Sequence, residues 1–171
     1  MKRILIIFIL SFFLSGCEKK QKTEYKFTCE GTSKTSYADI GLGPEHDDKQ
    51  MFIDEYNLRR LADGKFLLQL DNTNVNPRPT QISEQNFGHL TISNSVIKFK
   101  PQPPFIDFAG DIRIISYEGM ISLNTGNFSS SLFTKFRGKR VPTSFRGQCF
   151  GLEGIKEYIK RWKNLYVIVE L

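Results

Sequence analysis

The sequence predicts a mainly β domain, an antiparallel meander forming a barrel or a sandwich, with one short C-terminal α-helix. Three observations predict it. Short segments of alternating apolar and polar residues recur along the chain with turn residues between them. Two cysteines, Cys29 and Cys149, stand near the two ends of that strand-rich region. Only Glu153 to Lys163 switches to helical spacing. Many short strands at near-regular spacing argue for a sandwich or barrel. A covalent link between the first and last strands would favour a closed or nearly closed meander.

The elements follow in order. Tyr25 to Cys29 opens the domain as a strand, with Phe27 and Cys29 on one face. Phe52 to Leu61 and Lys65 to Asp71 flank Asp63-Gly64, a dipeptide suited to a tight hairpin because both residues tolerate positive φ. Asn76-Pro77-Arg78-Pro79 breaks the chain. His89 to Ile92 and Val96 to Phe99 are short strands around Ser93-Asn94-Ser95, and Pro101-Gln102-Pro103-Pro104 is a second break. Asp111 to Leu123 has long strand character, and Asn124-Thr125-Gly126-Asn127 turns the chain into Phe128 to Phe133. The last strand ends at Cys149.

In the helical segment Ile155, Tyr158, Ile159 and Trp162 form a stripe with Lys156, Lys160 and Lys163 off it. That stripe predicts packing on one end of the sheet, with a membrane-surface helix as the alternative. The tail from Leu165 to Leu171 is too apolar to stay bare, and is expected to pair with a sheet edge or pack beneath the helix.

Cys29 follows Phe27 by two positions and Cys149 follows Phe145 by four, so each cysteine shares a strand face with an aromatic residue. A bridge would tie the first strand to the last, adding about 4–5 kcal/mol in the loop-entropy picture. Two buried free thiols are the alternative. Neither cysteine lies in a Cys-x-x-Cys pair or near a histidine, which argues against a metal or redox site.

The N-terminus carries Lys2 and Arg3, then an apolar run from Ile4 to Leu14, then Leu14-Ser15-Gly16-Cys17. This is the layout of a secretory signal, and the last four residues resemble the lipobox of bacterial lipoproteins at every position. The resemblance implies cleavage before Cys17, a diacylglyceryl thioether on its sulfur and further acylation, palmitate being the usual chain. A transmembrane helix is the alternative, but the run is about half of the ~20 residues a span needs. The expected organisation is a signal peptide over 1–16, a lipidated tether over 17–24 and a single β-rich domain over 25–171. The tether reaches about 25 Å when extended. Glu18, where lipoproteins retained in the inner membrane carry aspartate, implies an outer-membrane position facing the periplasm in a Gram-negative host.

The chain has 171 residues and a net charge of +6, two of those cations lying in the leader. Such a mildly basic surface does not call for nucleic acid and suits attraction to anionic lipid or envelope polymers. Glu45-His46-Asp47-Asp48 is the densest group of potential metal ligands, but consecutive residues rarely converge on one ion, and a solvated loop is the expectation. No serine lies in a Gly-x-Ser-x-Gly elbow, and His46 and His89 are the only histidines. Among Glu84, Asp107, Asp111 and Glu118 nothing singles out a carboxylate pair. No catalytic residue, metal or cofactor is expected.

The residues that point to binding are Lys135, Arg137, Lys139, Arg140 and Arg146, interleaved with Phe133, Phe136 and Phe145 across the last hairpin. They read either as a basic, aromatic-rimmed face for an anionic partner or as phenylalanines inward with bases outward. The tether, the Tyr-x-x-x-Cys strand at Tyr25–Cys29 and the closing Cys149 are together similar to membrane-bound lysozyme inhibitors, which are small β-barrel lipoproteins. That family's inhibitory Ser-Gly-x-x-Tyr segment has no counterpart here, so no binding residue is carried across. The resulting expectation is a non-catalytic, lipid-anchored binding module for an envelope or host protein or an anionic polymer. A role in envelope maintenance and a hydrolase are the alternatives.

Overall fold

A computed structural model describes residues 23–75, 81–83, 89–100, 112–136 and 138–164. It contains strands β1 (Glu24–Thr35), β2 (Asp48–Arg60), β3 (Phe66–Thr73), β4 (Gln81–Ser83), β5 (His89–Ile92), β6 (Val96–Lys100), β7 (Ile112–Ser122), β8 (Asn127–Phe136) and β9 (Lys139–Phe150), then helix α1 (Ile155–Asn164). All nine strands form one antiparallel sheet in the order β4-β3-β2-β1-β9-β8-β7-β6-β5. The sheet is a meander curled into a half-barrel, so of the two expected architectures the sandwich is not formed.

The order explains why the barrel stops short of closing. Direction alternates along an antiparallel sheet, so the two end strands of a nine-strand meander, β4 and β5, run the same way. They approach one another, but no ladder joins them among the described residues.

β1 and β9 form the middle of the sheet. Cys29 faces Cys149 in their register, and the two are disulfide-bonded across a separation of 120 residues. The bridge therefore fastens two meanders, β1 to β4 and β5 to β9, along their shared seam. Beside it Gly31 faces Gly147, with Phe52 opposite Gly31 and Phe128 opposite Gly147. On a flat sheet those two phenylalanines would stand about 14 Å apart. Their ring centroids are 5.4 Å apart. The sheet folds sharply over the glycine pair, where a Cβ on Gly147 would collide with the Glu30 carbonyl oxygen.

Inward positions alternate along each strand and stack in layers. The layer containing the glycines continues from Phe128 to Ile121 and Ile97, all three buried. The next layer runs Phe145, Ser130, Gly119, Phe99, two rings flanking two small residues that leave them room. The Phe99 ring occupies the space above Gly119.

Helix α1 lies across one end of the half-barrel. Its stripe of Ile155, Tyr158, Ile159 and Trp162 is buried, as the spacing predicts. The Tyr158 ring meets Tyr25 and Phe66 at 5.7 and 6.2 Å, and its hydroxyl donates to the Thr23 carbonyl at 2.7 Å. Arg60 lies 4.4 Å over the Trp162 ring. Tyr25 in turn donates to the Glu153 carbonyl. Burial pushes the Tyr158 phenol above its ordinary range; burial and the nearby Glu153 do the same to Tyr25.

Two details differ from the sequence expectation. The β2–β3 turn carries a hydrogen bond from the Gly64 N–H to the Leu61 carbonyl, which centres the turn on Ala62 and Asp63; Gly64 alone follows with φ of 84°. That is a three-residue hairpin loop with its glycine at the left-handed position. Glu24, assigned to the tether, is the first residue of β1 and accepts a hydrogen bond from Asn57 at 2.9 Å. The leader, Cys17, most of the tether, both proline breaks and the apolar tail lie outside the described residues.

Candidate functional site

The end opposite α1 is a mouth formed by the last residues of β1 and β8 and the first of β2 and β9. Here the inward layers change character. Asp48, Thr35, Thr143 and Leu132 follow one another across β2, β1, β9 and β8; the next layer is Gln50, Ser33, Phe145 and Ser130, and the one below it Phe52, Gly31, Gly147 and Phe128. A cavity of about 380 Å³ opens among them. Its floor is apolar, from Leu132, Val141 and Phe145, and its walls carry Ser33, Thr35, Gln50, Thr134 and Thr143.

These wall groups bond one another. The Thr35 and Thr143 hydroxyls are 2.9 Å apart, Ser33 donates to the Gln50 carbonyl at 3.2 Å and Thr134 donates to the Val141 carbonyl at 3.3 Å. The Gln50 amide donates to the Asp48 carboxylate. Each hydroxyl keeps lone pairs free of these bonds, so the walls present an excess of acceptors.

The β8–β9 hairpin forms one side of the mouth. Lys135 pairs with Arg140 and Phe136 with Lys139 in the ladder, next to Thr134 and Val141 of the cavity wall. The turn places Gly138 at φ of 81°. Lys135, Lys139 and Arg140 are exposed, and none has a carboxylate within ion-pair distance among the described residues. Arg140 lies 3.7 Å over the Phe133 ring, which holds its guanidinium in place. Lys139 reaches the Ile40 carbonyl at 3.5 Å.

The structure divides the predicted face. Lys135, Lys139 and Arg140 come together at the mouth. Arg146 is exposed six residues further along β9, about 20 Å away, opposite Thr32 and Ser129. Phe133 shares the outward face with Lys135, Arg140 and Arg146; Phe136, paired with Lys139, lines the cavity, and Phe145 is fully buried in the core. Arg137 lies outside the described residues.

The acidic loop resolves into separate roles. Pro44–His46 is a single 3₁₀ turn with no buried residue. Asp47 turns to the outer end of β1, where Lys34 Nζ is 2.9 Å from its carboxylate and the Tyr37 N–H donates to it at 3.3 Å. The Lys34 contact, with smaller help from Tyr37 and Ser36, holds the Asp47 carboxyl below the usual carboxylate range. Asp48 turns inward to the mouth. Glu118, one of the acids considered for catalysis, is on the outer face 3.4 Å from Lys100. Glu84, Asp107 and Asp111 lie outside the described residues.

Sequence reasoning missed two features. The first is the hydroxyl-lined mouth, whose signal was the alternation of Ser33, Thr35 and Thr143 with outward residues on strands assigned only by their aromatic positions. The second is a buried polar cluster deeper in the half-barrel. Asp54 is fully buried, accepting from Thr73 at 2.8 Å and from Tyr56 at 3.2 Å, and Tyr56 meets the Tyr117 hydroxyl at 3.1 Å. An acid at an inward position between Phe52 and Tyr56 was the available signal.

No family model, curated protein or solved structure matches this chain.

Proposed function

We propose that this protein is a bacterial envelope lipoprotein, held on the membrane by lipid at Cys17, whose domain binds an anionic envelope or host component without catalysis. The leader and the lipobox-like Leu14-Ser15-Gly16-Cys17 support the anchor, and a disulfide-closed domain suits an oxidising compartment outside the cytosol. Dual or triple acylation gives stable anchoring where a single chain does not. The observation that carries the binding role is the mouth: three exposed cations, Lys135, Lys139 and Arg140, on the hairpin end next to strand positions that line a concave, incompletely apolar cavity. Cations beside a low-dielectric concavity raise the local concentration of an anionic partner.

Two measurements test this reading. Palmitate labelling should mark the wild type and leave Cys17→Ala unlabelled. Cross-linking in intact envelopes should recover one dominant partner, and the double variant Lys139→Glu, Arg140→Glu should lose it. Equal labelling of Cys17→Ala, or an unchanged partner with the charge-reversed hairpin, contradicts the reading.

A further inference from the structure

We infer that the mouth cavity is a saccharide site, taking one or two sugar rings of a glycan whose negative charge lies against the basic rim; this rests on the hairpin tip being the contact with an anionic partner. Size comes first. About 380 Å³ falls at the small end of ligand sites, room for a short saccharide.

The chemistry of the walls selects among small ligands. Ser33 and Thr134 donate their only hydroxyl protons to backbone carbonyls, so toward the cavity they offer lone pairs. Asp48 contributes a carboxylate that takes one Gln50 amide proton, and Gln50 adds a carbonyl oxygen and its second amide proton; Tyr37 also lines the cavity. The Thr35–Thr143 pair has one proton to give. A wall of this kind calls for a ligand rich in donors, which a polyol is. A fatty acyl chain would strip water from the Asp48 carboxylate and from the spare lone pairs of the hydroxyls and offer no donor in return. A phosphate or sulfate, with acceptors only, would face the Asp48 carboxylate.

The remaining lining completes the match. Leu132, Val141 and the Phe136 ring offer apolar surface of the sort that packs on the C–H face of a sugar. The fold does not require the polar walls. Valine is close in shape to threonine, and Phe145 and Leu132, the next inward positions on β9 and β8, are apolar. Thr35, Thr134 and Thr143 gather at this end around open space, where a ligand can use their oxygens. Lys139, opposite the cavity-lining Phe136, is then the base placed for a carboxylate or sulfate substituent of the same glycan, with Lys135 and Arg140 on the outer face of the same hairpin end.

The test is methyl NMR on the disulfide-bonded domain, following Leu132 and Val141 during titration with neutral and uronate-bearing trisaccharides of glucose, galactose, mannose and N-acetylglucosamine. Decanoate and inorganic sulfate are titrated in parallel. At least one saccharide should shift both residues, and its uronate form should bind more tightly at low salt. Thr143→Val should weaken binding about fivefold to tenfold while the melting curve is retained. Shifts produced only by decanoate, only by sulfate, or by none of the probes overturn the inference. If no saccharide shifts the cavity methyls yet charge reversal at Lys139 and Arg140 still abolishes partner capture, the saccharide site falls and the binding module stands. Capture that survives charge reversal removes the binding reading itself.

Discussion

The two ends of the half-barrel are built from opposite materials. At the closed end Tyr25, Phe66, Tyr158 and Trp162 stack against one another, and the backbone groups of Thr23 and Glu153 are satisfied by tyrosine hydroxyls. At the mouth the same inward-pointing positions hold Ser33, Thr35, Thr134 and Thr143 around a cavity. Both ends belong to one sheet and share strands β1, β2 and β9. The contrast follows from the side chains: a helix covers the apolar end because that surface must leave water, whereas the hydroxyl-lined end tolerates exposure.

The largest expected effect is at the closed end. Trp162→Ala should destabilise the domain by about 3–5 kcal/mol, read from urea unfolding under non-reducing conditions. A loss below 1 kcal/mol would mean that α1 is an ornament on the sheet rather than its cover. Next comes the fold line between the ends. Gly147→Ala forces a methyl against the Glu30 carbonyl and should cost about 1–3 kcal/mol or more, although it adds helix- and strand-neutral bulk and removes no contact. At the mouth, Thr143→Val should change stability by less than about 1 kcal/mol. A large loss there would place the threonines in the core and erase the contrast.

The ends should also respond to opposite extremes of pH. Tyr25 and Tyr158 have phenols raised above their ordinary value by burial. The stability they contribute is present below about pH 10 and is lost as pH rises through their folded values. Asp47, near the mouth, is lowered by Lys34. Its contribution is present above the usual carboxylate range and is lost as pH falls through its folded value. Hydrogen exchange should therefore show α1 loosening in alkali, and the Thr35–Asp48 segment loosening in acid. Lys34→Met should return the Asp47 carboxyl toward its ordinary range in an NMR titration, the smallest of these effects.

Much of the scaffold was legible because it follows from short-range chemistry. The stripe of Ile155, Tyr158, Ile159 and Trp162 could face only one way on a helix, and Cys29 and Cys149 share the inward parity of Phe27 and Phe145 on their strands. The sheet order was not legible, since nothing local announces that β1 lies between β2 and β9. For the same reason the basic residues of the last hairpin read as one face. Spacing along β9 separates Arg140 from Arg146, and strand alternation puts Phe136 on the inner face and Phe133 on the outer, once β8 is known to run unbroken to Phe136. Gly31 and Gly147 each sit two residues from a cysteine, yet their effect depends on facing each other across a pair of strands 116 positions apart in Cα register. Inward serines and threonines look like outward ones until the layers are assembled.

The division between the ends is tested most directly by moving the same charge change from one end to the other. Cross-linked envelopes would be compared for the wild type, for Lys139→Glu with Arg140→Glu at the mouth, and for Lys160→Glu with Arg161→Glu on α1, at matched net charge. Loss of the partner in the mouth variant, with retention in the helix variant, is the predicted result. Equal loss in both would show that net charge alone governs capture, and retention in the mouth variant would show that the partner docks elsewhere.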